Sequence, residues 1–213
     1  MKQIGASIVC FLLLAAVLFF ALPVQARLID KIVATVDSEV ITLSDLIRLK
    51  LLIERTDYTL LERDKVLVEG SLNGVLNELV MLTLVYRQAV KLNLTDFDEE
   101  ALKARFSDFK NTFENAAALE DFIYSNGWRT EQDVYEIFRR YAIAEMFATK
   151  RVNLQVELRM HSYYEEYVES KYGGRSFEEV EDRVKQDLYN EELADWMNDL
   201  RRNAKVKIIG SEL

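Results

Sequence analysis

The stretch Asp30–Asp45, DKIVATVDSEVITLSD, decides how the rest of the chain is read. Ile32, Ala34 and Val36 alternate with Val33 and Thr35. After Asp37-Ser38-Glu39 a second β-branched run follows, Val40-Ile41-Thr42. A period of two on either side of a short polar turn predicts a half-buried hairpin. Two strands alone are marginal in water, and almost everything after Asp45 has helical spacing. The hairpin therefore needs a further partner from elsewhere in the chain.

Residues upstream of it have a different character. Lys2 precedes an apolar run from Ile8 to Leu22, Pro23 breaks the run, and Val24-Gln25-Ala26 offers small residues in the pattern a signal peptidase reads. Residues 1–26 are thus expected to be a secretory signal peptide cut between Ala26 and Arg27. The alternative is an uncleaved anchor, because the roughly 20 mostly apolar residues from Ile4 to Val24 are near the length that spans a bilayer. Cys10 lies inside the apolar run, without the setting of a lipid-acylation site. The expected location is the periplasm, or the periplasmic face of the inner membrane if the segment stays attached.

Residues 27–213 hold neither the single Cys nor the single Pro of the chain. Disulfides cannot form there, so stability has to come from packing. Scarce Gly and absent Pro favour long helices with short connections. The net charge is −9 over 213 residues, and it becomes more negative once Lys2 leaves. Such a balance does not suit phosphate backbones or anionic lipid, and no nucleic-acid partner is expected.

Thr42 or Ser44 can cap a helix with Leu46, Leu49, Leu52 and Ile53 on one side. RTDYTLLERD (55–64) then reads as a polar connection. A helix is expected from about Lys65 to Leu92, and within it VLNELVMLTLVYRQAV (75–90) is apolar nearly all the way round, as in a helix buried on several sides. Thr95-Asp96-Phe97-Asp98 has the Thr-x-x-acid form of a cap. The helix it opens carries Leu102, Phe106, Phe109 and Phe113 in a single core stripe. Leu119, Phe122 and Ile123 mark a short helix closed by Asn126-Gly127. Thr130 to Asp133 opens another helix, with Val134, Ile137, Phe138 and Tyr141 inward and Phe147 near its end. RVNLQVE (151–157) fits strand or helix extension equally well. LRMHSYYEEYVESKY (158–172) is helical again and stops at Gly173-Gly174. Ser176 to Glu179 forms a capping box before a last helix carrying Val180, Val184, Leu188, Trp196, Met197 and Leu200.

The chain then ends in AKVKIIG (204–210), where Val206 and Ile208 alternate with Lys205 and Lys207. This strand is the missing partner. The expected fold is mainly α: a multi-helix core with a small sheet formed by the N-terminal hairpin and the C-terminal strand.

In order and spacing these segments resemble the SurA-type periplasmic chaperones. DKIVATVDSEVITLSDL is similar to the opening hairpin and helix start of that family, and LNELVMLTLVYRQAVKLNLT (76–95) to its next helix. FEEVEDRVKQDLYNEELADWMNDLRRNAKVKII (177–209) is similar to the helix and strand that close it. The resemblance spans nearly all of residues 27–213. It implies an N-terminal part over 27–156, a shortened linker helix over 157–175, and a C-terminal helix and strand over 176–213. Family members usually carry parvulin prolyl isomerase domains between the last two parts. Here only Tyr167 to Ser176 separates them, whereas a further domain needs at least ~50 residues. The parvulin domains are expected to be absent, and the chaperone core to remain.

Residue chemistry points the same way. A metal centre needs several His, Cys or carboxylates at fixed spacing, and His161 is the sole His of the chain. Adjacent Ser162 faces elsewhere on a helix, so no nucleophile–base pair forms. No Gly-rich phosphate loop is present. Glu165-Glu166, Glu178-Glu179 and Glu191-Glu192 read as solvated charge and helix-dipole partners. No enzyme activity, cofactor or metal is expected.

What the resemblance implies is an ATP-independent holdase for unfolded exported or outer-membrane proteins, without isomerase activity. A dedicated assembly subunit gripping one partner is the alternative, and a peptidyl-prolyl isomerase with an unrecognised site is a third reading. Aromatic side chains bury large area at low entropy cost. Those at breaks and on polar helices are the expected client contacts: Tyr124, Trp128, Tyr163, Tyr167 and Tyr172.

Overall fold

The computed structural model describes residues 30–56, 59–61, 66–67 and 71–209. The chain divides into two units, Met1–Asp30 and Lys31–Leu213, and every described helix and strand belongs to the second. The expected signal peptide and its cleavage point at Ala26/Arg27 lie outside the described residues.

Strands β1 (Ile32–Val36) and β2 (Glu39–Thr42) pair antiparallel, with Val36 opposite Glu39, Thr35 opposite Val40 and Ala34 opposite Ile41. Asp37 makes the turn with φ +53°, a left-handed conformation that Asp tolerates better than most residues. The register slips between Ile32 and Ala34. Because of that slip, Val33 and Ala34 are both buried along with Val36, and the strict alternation expected from sequence breaks at this point.

Strand β3 (Val206–Ile208) lies antiparallel on the other side of β1, in the order β2-β1-β3. Val36 is opposite Val206 and Ala34 opposite Ile208. The Ile209 amide extends the ladder by donating to the Val33 carbonyl at 2.8 Å. The hairpin thus gains the third strand that its marginal stability requires, and the mainly α fold with a small sheet built from both ends of the unit is as expected.

Helix α1 (Leu43–Arg55) starts at Thr42. The Thr42 amide donates to the Asp45 carboxylate at 2.9 Å, and the Asp45 amide donates back to Thr42 Oγ1 at 3.3 Å. Helix α2 (Asn73–Lys91) is the central element, burying Val75, Leu76, Val80, Met81, Leu82, Leu84, Val85 and Ala89. Residues 62–65 and 68–70, where its start was expected, lie outside the described residues. Arg87 ties α2 to the hairpin: its guanidinium donates to the Val36 carbonyl at 2.9 Å and pairs with Asp37 at 3.3 Å.

Helices α3 (Glu99–Asn111) and α4 (Ala116–Ser125) pack beside this core. The cap of α3 is Asp98, which accepts the Ala101 amide at 2.9 Å, and not Thr95. A carboxylate one residue before the helix reaches the free amides of its first turn; Thr95 is three residues too early. Phe106, Phe109, Phe122, Trp128 and Phe138 share one aromatic cluster across α3, α4 and the start of the next helix.

Helix α5 (Glu131–Tyr167) runs for 37 residues, about 55 Å at 1.5 Å per residue. The two helices expected on either side of RVNLQVE are therefore one, and that stretch is continuous helix. Nine residues later, α6 (Phe177–Asn203) returns along it. The helix α5 ends at Tyr167, ahead of the expected glycine stop. Gly173 and Gly174, both at positive φ, instead close the connection. Val152, Val156, Tyr163, Tyr172, Val180, Val184 and Leu188 form the core between the two long helices.

Candidate functional site

The five aromatic residues expected to contact clients fall into different environments. Trp128 is 6% exposed and packs on Phe122 at 5.3 Å between ring centroids. Tyr163 and Tyr172 are 2% and 1% exposed. Tyr163 donates to the Glu191 carboxylate at 3.0 Å and accepts from Lys171; Tyr172 donates to Asp187 at 3.1 Å. Burial, reinforced by these carboxylates, raises both phenols, that of Tyr172 to about 12. Tyr167 is half-buried, its ring 4.1 Å from the Lys171 ammonium. Tyr124 alone of the five is open, at 63% exposure. Trp128, Tyr163 and Tyr172 are thus buried, a correction to the surface position expected of them. The hydroxyls of Tyr163 and Tyr172 are held by partners, and all three ring bodies fill the inter-helix cores.

Glu78 is fully buried on α2. Its two carboxylate oxygens accept the amides of Leu60 at 2.6 Å and Leu61 at 3.0 Å and the Tyr141 hydroxyl at 2.9 Å. Burial pushes its carboxyl above the ordinary range, partly offset by these three donors. With both oxygens engaged, Glu78 is a clasp for the 59–61 segment and presents no free face to a reactant. A neighbouring cavity of about 420 Å³ holds Arg105 paired to Glu145 at 2.7 Å. Arg55 and Asp108 line it as well, and the Arg55 guanidinium lies over the Phe113 and Phe122 rings. His161 is exposed and stacks on Phe177 at 4.3 Å, while Ser162 donates to the Arg159 carbonyl of its own helix at 2.9 Å. Among the described residues no group of three His, Cys, Asp or Glu is placed to hold a metal ion.

The site that stands out is a groove of mixed lining, in which exposed leucines and Trp196 alternate with Gln88, Lys150, Arg151, Gln155, Asp199 and Asn203. The groove, of about 510 Å³, opens between the C-terminal end of α2, the middle of α5 and the C-terminal half of α6. Leu92 and Leu94 form one wall, Leu154 and Met146 another, and Trp196 and Leu200 the third. Leu92, Leu94 and Leu154 are 51%, 47% and 55% exposed, and Leu158, one turn beyond Leu154, is 72% exposed. Local structure explains each wall. Asn93 adopts φ +55° and ends α2, and the Leu94 amide returns to the Ala89 carbonyl at 2.8 Å. That turn leaves Leu92 and Leu94 outside the core. Phe147 packs edge-on against Trp196 at 5.7 Å, and the Arg151 guanidinium lies 5.5 Å from the same ring.

The sequence carried a signal for these leucines. Val152, Leu154, Val156 and Leu158 alternate, which made the stretch look half like a strand. On a helix, residues two apart point about 200° apart. Val152 and Val156 are 1% exposed against α6, so Leu154 and Leu158 necessarily point the opposite way. Alternation inside a long helix here marks two apolar faces, one covered and one open.

No protein-family model matches this chain, and no curated protein matches it either. Among the described residues, no helix is long and apolar enough to cross a membrane.

Proposed function

We propose that this chain is an ATP-independent chaperone of the periplasm, a holdase that binds unfolded exported or outer-membrane proteins. The carrying observation is the leucine-walled groove with Trp196 at its side, open on a protein of net charge −9. Exposed apolar surface gathered on a folded domain is where proteins, membranes or ligands are met, and the net charge, which disfavours anionic lipid, favours a protein client. A groove of this kind takes aliphatic and aromatic side chains without demanding one sequence. Reversible capture shifts a client from aggregation by mass action, and the acidic remainder keeps the loaded complex soluble.

Holding, and not prolyl isomerisation, is the proposed activity because residues 168–176 alone connect α5 to α6. Export rests on the character of residues 1–26, and the SurA-type assignment on the motif order together with the three-stranded closure.

Suppression of light scattering with several unrelated unfolded clients tests the reading. The chain is expected to protect most of them near equimolar ratio without nucleotide, and Leu154→Ser/Leu158→Ser to lose most of that protection. Protection of none of them would leave a dedicated partner-binding subunit in place of a general holdase.

A further inference from the structure

The open face of α5 continues past the groove in a regular stripe: Arg151, Leu154, Leu158, His161 and Glu165, spaced three, four, three and four residues apart. All five are exposed, and Val152, Val156 and Tyr163 on the opposite face are sealed against α6. This is the heptad spacing that a helix presents to another helix; Arg151 leans on Trp196 and His161 on Phe177 of α6, while Leu154 and Leu158 between them stay open.

The stripe is complementary to itself when reversed. Its N-terminal end is basic, with Arg151 and neighbouring Lys150, and its C-terminal end is acidic, with Glu165. Lys150 and Arg151 are both exposed, and the Arg151 guanidinium rests on the Trp196 ring at 5.5 Å. We infer that a second copy of this chain docks here, α5 antiparallel to α5 about a two-fold axis between Leu154 and Leu158. Each Leu154 then packs on Leu158 of the second copy, each Arg151 lies level with the opposing His161, and Glu165 of the second copy stands about 6 Å further along the axis, within reach of the long Lys150 and Arg151 side chains. An isologous contact of this sort closes on itself and stops at a dimer. Glu157 meets its own copy beside the axis, and the apolar strip is short. The pairing is therefore weak and reversible, of the transient class.

Pairing also covers Leu154, a wall of the groove. Resting chains shield their adhesive surface on one another, and an unfolded client competes for it. This consequence, unlike the pairing itself, rests on the holdase reading.

Sedimentation of the purified chain over a wide concentration range tests the pairing. Wild type is expected to pass from monomer to dimer. Leu158→Glu should weaken association at least tenfold, as should Arg151→Glu, while Arg151→Glu/Glu165→Arg should restore it. These positions are exposed, and circular dichroism melts establish that each variant folds. If Leu158→Glu does not fold, the charge-reversal pair carries the test alone. A wild type that stays monomeric throughout, or a dimer untouched by these changes, overturns the pairing and leaves the scattering assay to judge the holdase. Adding an unfolded client should dissociate the dimer; a dimer that holds while clients are protected overturns the competition.

Discussion

The Asp37 carboxylate accepts the backbone amide of Lys205 at 3.0 Å, and the Asp37 amide donates to the Lys205 carbonyl at 3.0 Å, across 168 residues of sequence. The turn of the first hairpin is thereby latched to the residue that opens the last strand. Arg87 completes the latch from the central helix through its ion pair with Asp37. One exposed residue thus holds three elements in register, and its φ of +53° is set by the turn it makes.

Asp37→Ala should cost about 1–2 kcal/mol, combining the lost amide acceptor with a left-handed conformation that alanine resists. Deleting Lys205 to Ile209 should lower the melting temperature far more, because β1 loses its whole outer ladder. Thermal melts followed by far-UV dichroism check both. An unchanged melt on deletion would contradict the closure.

Glu78→Gln should destabilise by about 1–3 kcal/mol, since an amide offers one acceptor where three donors converge and adds donors of its own. The pH dependence has a definite sign. Burial raises the folded Glu78 carboxyl above its ordinary value, so the native state holds that proton more tightly than the unfolded chain. The stability linked to this group is present at low pH and is lost as pH rises through the folded pKa. Denaturant titrations from pH 7 toward pH 5 should show the gap between wild type and Glu78→Gln widening as pH falls. A narrowing gap would contradict the raised value.

Gly127 closes α4 at φ +78°, and a Cβ there would stand 2.9 Å from Arg48 Nη2. That guanidinium donates to the carbonyls of Asn126 at 3.2 Å and Gly127 at 2.7 Å. Gly127→Ala should therefore combine backbone strain of about 1–2 kcal/mol with displacement of Arg48. Gly173→Ala has a similar φ of +62° but nothing within 4 Å, and it should show the strain alone. Equilibrium unfolding of the two variants is expected to rank Gly127→Ala as the more damaging.

Tyr172→Ala should cost about 3–5 kcal/mol, as for other large buried side chains, and Tyr172→Phe about 1 kcal/mol for the bond to Asp187. Leu154→Ser/Leu158→Ser, at open positions, should leave the melt within a few degrees while lowering client protection. The opposite pattern, stable tyrosine variants and an unfolded leucine variant, would relocate the site.

Much of this architecture was already visible in the order of residues. Thr42, Thr130 and Gly127 announced two starts and a stop because capping is local chemistry, satisfied within a few residues of the amide or carbonyl in question. Thr95 failed as a cap for the same reason, with Asp98 closer to the first turn. The site was harder to see. Tyr124 and Tyr163 belong to one residue type, and what packs beside each decides between them: Val180, Val184 and Leu188 of α6 share a core with Tyr163, and Glu191 accepts its hydroxyl 28 residues further along.

Taken alone, the sequence determined most of the elements, the caps at Thr42, Thr130 and Ser176, and the pairing of the last strand with the first, since alternation and helical spacing reflect each segment's own geometry. Tertiary structure alone decided which apolar face stays open. Val152 and Leu154 are equally apolar, and burial is a property of what packs alongside. The return of α6 along one side of α5 covers the valines and leaves Leu154 and Leu158 to the solvent.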